Sequence, residues 1–154
     1  MSAHWPKGFA QHGTRHAACH VVDILPTILE VTGFCAIVEL GDTEVQAVQG
    51  ESLLTLLKGA DWQREQPIFF EHEGNSALRI GQFKLVRQYG MKWELYDMEL
   101  FRTELRNLAA GARDQVRDMA HLYDAWTHET GVIAWEHVLP VLNISCGQII
   151  FYLV

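Results

Sequence analysis

The chain has 154 residues, of which 49% are hydrophobic, and its 19 acidic and 12 basic residues give a formal net charge of −7. This length and apolar content suit about one globular domain with a core of ordinary size, and they exclude a disordered chain. The negative charge opposes binding to a phosphate backbone, so we expect no nucleic-acid partner.

The cysteines and the N-terminus exclude several further classes of protein. Cys19, Cys35 and Cys146 are odd in number and widely spaced, which predicts free thiols rather than a disulfide framework or a CxxC metal site. The N-terminal MSAHWPKGFAQHG lacks the basic and apolar regions of a secretory signal. No apolar run approaches the roughly 20 residues of a membrane helix. We therefore expect no signal peptide in this chain and no membrane partner, and the compartment stays open.

The first predicted element is a short helix in DILPTILEVTG, which Asp23 begins as N-cap and Gly33 ends. Its apolar residues fall on one side: Ile24, Leu25, Ile28 and Val31. Residues 34–50 show no firm period and are predicted to be mostly loop. GESLLTLLKG, at residues 50–59, predicts a second short helix between glycines.

Residues 67–97 predict an antiparallel meander of about four strands, in PIFFEH, SALRI, FKLVRQ and KWELYD. Apolar residues alternate with others along these segments, and the Gly81-Gln82 pair suits a tight hairpin. Asp114 then begins a longer helix. Its apolar residues recur every three or four positions and would cover one face of the sheet: Val116, Met119, Ala120, Tyr123 and Trp126.

The segment EHEGN, at residues 71–75, allows two interpretations. It could be the polar turn between two strands. It could instead be part of an active site, since Glu71 and Glu73 are two residues apart and would share one face of a strand as paired carboxylates. The polar neighbours favour the turn. Ser76 lacks the G-x-S-x-G pattern of an exposed nucleophile, so the residues alone present no convincing catalytic set.

Three histidines are the only candidate metal ligands with a regular spacing. His12, His16 and His20 are four residues apart and would share one face of a continuous helix, where they could hold a divalent metal. Gly13 and the predicted N-cap at Asp23 argue against such a helix. We expect solvated or capping histidines, with a metal site as the alternative.

A series of separated motifs runs along the chain: AHWPKGF, HVVDILPTILEVTG, GESLLTLLKG, PIFFEHEGNSALRIGQFKLV, WELYDMELFRTELRNLA, and DAW before GVIAW. Together they resemble the C-terminal part of a bacterial arylsulfatase, of the formylglycine-dependent type I family in the alkaline-phosphatase-like superfamily. The resemblance covers about residues 3–135. It implies an α+β fold: a C-terminal sulfatase subdomain with a four-stranded antiparallel sheet and a packed C-terminal helix, preceded by a helical remnant of the α/β catalytic domain.

The resemblance also divides the chain. Residues 1–60 correspond to the end of the catalytic domain, residues 61–135 to the C-terminal subdomain, and residues 136–154 to an atypical tail. The tail ends in IIFYLV, which is apolar and β-prone. This tail and the apolar surface that would face a large domain lead us to expect self-association.

The family hydrolyses sulfate esters to an alcohol or phenol and sulfate. Its nucleophile is a formylglycine made from a C/S-x-P/A-x-R motif, and a calcium ion neutralises the sulfate oxygens. No cysteine or serine of this chain begins that motif. The resemblance therefore implies a fragment without catalytic residues, metal or cofactor, and inactive alone, with calcium and formylglycine in the full-length enzyme. The alternative is a non-enzymatic module that binds or stabilises another sulfatase chain.

The resemblance gives the EHEGN segment a second meaning. In the family, the corresponding loop lies on the subdomain's side of the active-site cleft. Glu71, His72 and Asn75 could therefore shape the substrate end of a complete enzyme and affect the choice of sulfate ester rather than the chemistry at sulfur. A purely structural turn remains the alternative.

Overall fold

The computed structural model describes residues 2–9, 13–40 and 42–141. The chain divides into two compact units, Met1–Gln66 and Pro67–Val154. The architecture is α+β with a four-stranded antiparallel sheet and a helix that follows it, as the sequence predicts. The predicted tail segment IIFYLV, together with Cys146, lies outside the described residues.

The first unit contains short elements at the predicted positions. A single 3-10 turn, Val21–Asp23, leads into helix α1, Ile24–Thr32, and helix α2 spans Leu54–Leu57. Helix α1 ends at Gly33 in the left-handed conformation, with φ of 72°, as expected for a glycine C-cap. The segment predicted as mostly loop contains one small antiparallel hairpin, formed by β1, Glu39–Leu40, and β2, Thr43–Glu44.

The side chain of Asp23 does not have its predicted role. Asp23 occupies the N-cap position of α1, but its carboxylate makes no capping hydrogen bond to that helix. It accepts the backbone N–H of His20 at 2.7 Å instead, and the His20 ring accepts the N–H of Val22 at 3.5 Å. These two bonds form a capping box around the preceding turn. The carboxylate instead forms a charge-assisted hydrogen bond with Arg64.

A buried ion cluster joins distant segments of the first unit. The side chain of Asp23 is 0% exposed, and its Oδ2 accepts a hydrogen bond from Nη2 of Arg64, whose side chain is 8% exposed. The other oxygen accepts the backbone N–H of Glu51 at 3.0 Å, and Arg64 Nε donates to the carbonyl of Ala18 at 3.3 Å. Burial acts to raise the pKa of Asp23, but the hydrogen bonds from Arg64, Glu51 and His20 outweigh it and hold the pKa below its ordinary value.

The apolar side of α1 is not covered within the described residues. Ile24 is 43% exposed, and Leu25 and Ile28 are each 51% exposed. Further large apolar side chains of the same unit are exposed after the helix: Phe34, Ile37, Val38, Leu40 and Val45. Where such side chains form a contiguous patch, they typically mark an interaction site.

The second unit contains the predicted meander. Its strands are β3, Ile68–His72, β4, Asn75–Ile80, β5, Phe83–Arg87, and β6, Glu94–Asp97. They pair as antiparallel neighbours in the order β3-β4-β5-β6. Helix α3, Arg113–Thr130, follows the sheet, and the short helix α4 spans Trp135–Val138.

Helix α3 covers one face of this sheet. Leu78, Leu85 and Leu95 are each 0% exposed and form the core together with two residues of α3, Met119 and Tyr123. The other three members of the predicted stripe pack against this core: Val116, Ala120 and Trp126. All five predicted positions of the helix therefore face the sheet, which confirms the predicted periodicity.

Candidate functional site

The EHEGN segment forms a hairpin. His72 pairs with Asn75 across strands β3 and β4, so Glu73 and Gly74 are the two turn residues. Their φ angles are 53° and 79°, and positive φ at both positions is typical of a type I′ turn. Glu71 lies on the strand and Glu73 in the turn, so the two carboxylates do not stand side by side on one strand face.

Glu71 connects this hairpin to helix α3. Its Oε1 accepts the backbone N–H of Gly74 at 2.8 Å, and its Oε2 accepts the hydroxyl of Tyr123 at 2.6 Å. Burial raises the pKa of the Tyr123 phenol above its ordinary value, and the hydrogen bond to Glu71 raises it further. The phenol therefore stays protonated and donates to the carboxylate over the whole physiological pH range.

The other two predicted site residues lie elsewhere on the hairpin. Asn75 Nδ2 donates to the carbonyl of His72 at 2.9 Å, and its Oδ1 accepts the backbone N–H of Tyr89 at 3.2 Å. Asn75 therefore braces the turn and the segment after β5. His72 is exposed at the end of β3. Of the three predicted residues, Glu71 alone lines the pocket described next.

A pocket of about 470 Å³ lies beside Glu71 in the second unit. Strands β3, β4 and β5, helix α3 and the segment that leads into α4 contribute to it. Its polar and aromatic lining includes Glu71, Ser76, Arg87, Tyr89, Tyr123 and Trp135. Its volume falls within the roughly 300–1,000 Å³ of small-molecule sites.

Strand register places three polar residues of this lining in one row. Glu71 pairs with Ser76, and Ser76 pairs with Arg87. We call these three residues the polar row. An apolar row lies two residues away from the polar row on each strand. It consists of Phe69, Leu78 and Leu85, which pair with one another in the same way. Because side chains two apart share a sheet face, the polar row lies on the face that carries the core.

The cation of the polar row is held by contacts with uncharged groups. Arg87 Nη2 donates to Ser76 Oγ at 3.4 Å, and the guanidinium carbon lies 4.3 Å from the centre of the Trp93 ring. Ser76 is buried. Among the described residues, no ion pair includes Arg87. Most of its N–H donors therefore remain available to a ligand.

Trp135 adds a second unused donor to the pocket lining. Its Nε1 atom is buried, and within the part of the chain that the structure describes it has no hydrogen-bond partner. The residue lies next to the hairpin turn, since a Cβ atom placed on Gly74 would be 2.9 Å from Trp135 Cβ. A buried N–H without a partner is uncommon in folded proteins and calls for an explanation.

Ser76, Arg87 and Trp135 are not among the site residues predicted from the sequence. A signal for the first two was available in the register. A hairpin turn at Gly81-Gln82 that pairs Ile80 with Phe83 also fixes Ser76 opposite Arg87. No comparable pattern marks Trp135, which follows the sheet by more than 30 residues.

The described residues hold no group of three His, Cys, Asp or Glu side chains able to bind a metal ion. Of the three regularly spaced histidines, His12 lies outside the described residues, and the ring of His20 accepts a backbone N–H.

Among the helices that the structure describes, none has the length and hydropathy needed to cross a membrane. None of the described residues that line the pocket is a histidine.

The fold of the chain is similar to part of the sulfatases. The carrageenan sulfatase Ps i-CgsB matches with a TM-score of 0.65 and 19% identity, over 80% of this chain and 27% of that chain. The same protein in complex with k-i-k-neocarrahexaose matches with a TM-score of 0.55 and 19% identity, over 68% of this chain and 23% of that chain. The described chain thus spans about a quarter of these solved structures.

One further solved structure matches less well, and the two sequence comparisons find no match. BT4656, solved in complex with its substrate D-glucosamine-2-N,6-O-disulfate, matches with a TM-score of 0.45 and 24% identity, over 69% of this chain and 23% of that chain. No protein-family model and no curated protein matches the sequence. The chain therefore has the fold of a portion of the sulfatase Ps i-CgsB.

Proposed function

We propose that this chain is a fragment of an arylsulfatase-like sulfuric ester hydrolase and has no hydrolase activity alone. The observation that carries the proposal is the uneven coverage of the structural match, which includes 80% of this chain but 27% of the sulfatase. This chain consists of a small antiparallel sheet, its covering helix and short elements before them. A fold of this extent leaves most of a sulfatase to other residues.

The sequence supports the same proposal. In the intact enzyme, a hydrated formylglycine attacks the sulfur of the ester, the alcohol or phenol leaves, and sulfate is then released. Calcium stabilises the charge on the sulfate oxygens. This chain contains no C/S-x-P/A-x-R motif. The nucleophile therefore belongs to a part of the proposed enzyme outside this sequence, and the family resemblance places the calcium site there too.

Activity measurement tests the proposal. The purified 154-residue chain is incubated with p-nitrophenyl sulfate and calcium, beside a buffer blank and an intact sulfatase that carries the modified nucleophile. We expect release of p-nitrophenol at the rate of the blank, because the chain cannot form the nucleophile. Turnover above the blank that depends on calcium would refute the proposal.

The second candidate function is a non-enzymatic module that binds or stabilises another sulfatase chain. The exposed apolar side of α1 favours it, since this surface offers Leu25 and Ile28 to a partner. Sedimentation velocity with a sulfatase catalytic domain supplied as a separate chain tests this function. Binding that is weakened by Ile28→Gln, but not by the matched exposed change Glu30→Gln, would support it. Separate sedimentation of the two chains would exclude it.

A further inference from the structure

We propose that strand β3 is an interaction surface through which two copies of this chain pair edge to edge. The four-stranded sheet has β3 and β6 as its outer strands. An outer strand presents backbone N–H and C=O groups that its own sheet does not use, and natural proteins usually cover such an edge or place charges on it. The two edges of this sheet differ in this respect.

The outer edge of β6 is covered by the segment that follows the sheet. The backbone N–H of Leu95 donates to Asn107 Oδ1 at 3.2 Å, and the carbonyl of Leu95 accepts the N–H of Leu108 at 2.8 Å. The carbonyl of Asp97 accepts the N–H of Phe101 at 2.9 Å. A further strand therefore cannot pair with β6 unless these bonds break.

The outer edge of β3 has no such cover. His72 and Asn75 flank the two-residue turn and pair directly, so the backbone groups of His72 and Phe70 point toward β4. Those of the alternate residues, Phe69 and Glu71, point outward. Within the described part of the chain, no hydrogen bond reaches these outward N–H and C=O groups. Strand β3 therefore has an open edge.

One register of β3 against a second β3 satisfies all of these groups. A two-fold axis at Phe70 places Phe69 of each copy opposite Glu71 of the other. Each such pair exchanges two backbone hydrogen bonds, and the symmetry makes two pairs. An axis at Phe69 would place Glu71 opposite Pro67, which has no N–H. An axis at Glu71 would place two carboxylates directly opposite each other.

The same register suits the side chains. Phe70 is 42% exposed and lies opposite Phe70 of the second copy, at a non-hydrogen-bonded position where side chains approach most closely. An aromatic pair at such a position stabilises an antiparallel ladder. Ile68 lies opposite His72, so like charges do not oppose each other along the strand. Backbone and side chains therefore both favour a second copy of β3 as the occupant of this edge.

The pairing should be weak and should stop at a dimer. Strand β3 has five residues, fewer than the roughly 20–30 residues on each side of a standard interface. We therefore expect a Kd on the order of 0.1–1 mM. Since the described residues give the four-stranded sheet one open edge, a two-fold pairing uses that edge in both copies and closes.

This inference goes beyond the proposed function and does not depend on it. The residues that carry it belong to the second unit, and strand pairing requires neither a nucleophile nor calcium. An inactive chain can dimerise, and an active chain can remain monomeric. The association test and the activity test can therefore fail independently.

NMR of the full chain labelled with ¹⁵N, at concentrations from about 20 µM to 1 mM, tests the pairing residue by residue. We expect the amide protons of Phe69 and Glu71 to move downfield and to exchange more slowly as the concentration rises, because they gain hydrogen bonds. The amide proton of Phe70 is the internal control, since Phe70 pairs with Ala77 of β4 at every concentration. Sedimentation equilibrium of the same samples should fit a monomer–dimer equilibrium.

Substitutions at Phe70 show whether β3 forms the interface. Phe70→Lys places two cations opposite each other across the axis and should weaken the dimer at least about tenfold. Leu122→Lys adds the same charge at a side chain of α3 that is 48% exposed, and it should leave the Kd unchanged. If Phe70→Lys loses its amide dispersion, Phe70→Thr replaces it, because threonine suits a strand and removes the aromatic pair without adding charge.

Three results would overturn the proposal. Signals of Phe69 and Glu71 that do not change with concentration would show that the edge stays unpaired. Changes that disappear when residues 143–154 are deleted would assign the pairing to the apolar tail. Equal dimer Kd values for the Phe70 variants and Leu122→Lys would place the interface elsewhere.

Discussion

Replacing Arg64 by methionine should destabilise the first unit strongly. The substitution keeps most of the side-chain volume but removes the cation that binds the fully buried carboxylate of Asp23. It also removes the hydrogen bond from Arg64 Nε to the carbonyl of Ala18. The backbone N–H groups of His20 and Glu51 would remain as the partners of Asp23.

The expected magnitude follows from burial. Removing one partner of a buried ion pair costs about 3–5 kcal/mol, because the other charge stays buried without compensation. The two remaining N–H bonds to Asp23 place Arg64→Met at the lower end, about 3 kcal/mol. The cost should be smaller at pH 4 than at pH 7, since Asp23 can escape the penalty by taking up a proton.

Hydrogen exchange of the amides of α1 measures this effect locally. A loss of about 3 kcal/mol corresponds to exchange about 100-fold faster at neutral pH. Arg117→Met is the matched control: its ion pairs with Asp114 and Asp118 are exposed, so we expect a change of about threefold at most. Exchange in Arg64→Met as slow as in this control would refute the reasoning about the buried pair.

Three further predictions address pH, the hairpin and self-association. The pKa of Asp23 is lowered on folding. The ionised carboxylate therefore contributes to stability above its unfolded pKa, near pH 4, and this stability is lost as the pH falls further. Acid should therefore lower the protection factors of the α1 amides, which compare observed exchange with that of an unstructured chain at the same pH, and Asp23→Asn should abolish this dependence. Gly74→Ala should lower the urea midpoint of unfolding more than Gly81→Ala. Both glycines have positive φ, but of the two only a Cβ on Gly74 would meet atoms within 4 Å, with Tyr89 Cδ2 at 2.6 Å. Equal midpoints for the two variants would contradict this. Deleting residues 143–154 should reduce light scattering, and a monodisperse intact chain would disprove self-association.

Local patterns in the sequence predicted the sheet and its covering helix. Alternation identified the four strands, and the three- and four-residue spacing placed Met119 and Tyr123 in the core. Such patterns report which side of an element is apolar. They do not report which distant polar groups meet. The carboxylate of Asp23 binds partners 28 and 41 residues further along the chain, so its role could not be read from the segment around it.

The candidate site shows the same limit. Glu71 is predicted as a site residue because it belongs to the EHEGN segment, but its partner Tyr123 is 52 residues away and is predicted only as a core residue. Arg87 and Ser76 become a pair only when the hairpin register is known. Trp135 enters the pocket lining from beyond the helix, and no short-range pattern indicates that its Nε1 atom is buried.

The adjacent polar and apolar rows have a consequence for how the sheet finds its pairing. If β4 slipped by two residues against β3, Glu71 would lie opposite Leu78, the centre of the core, and lose its place beside the Tyr123 phenol. A slip by one residue would turn Leu78 to the solvent side. Competing alignments therefore bury an unpaired charge or expose the core. The polar row therefore disfavours the wrong strand register, whatever the pocket binds.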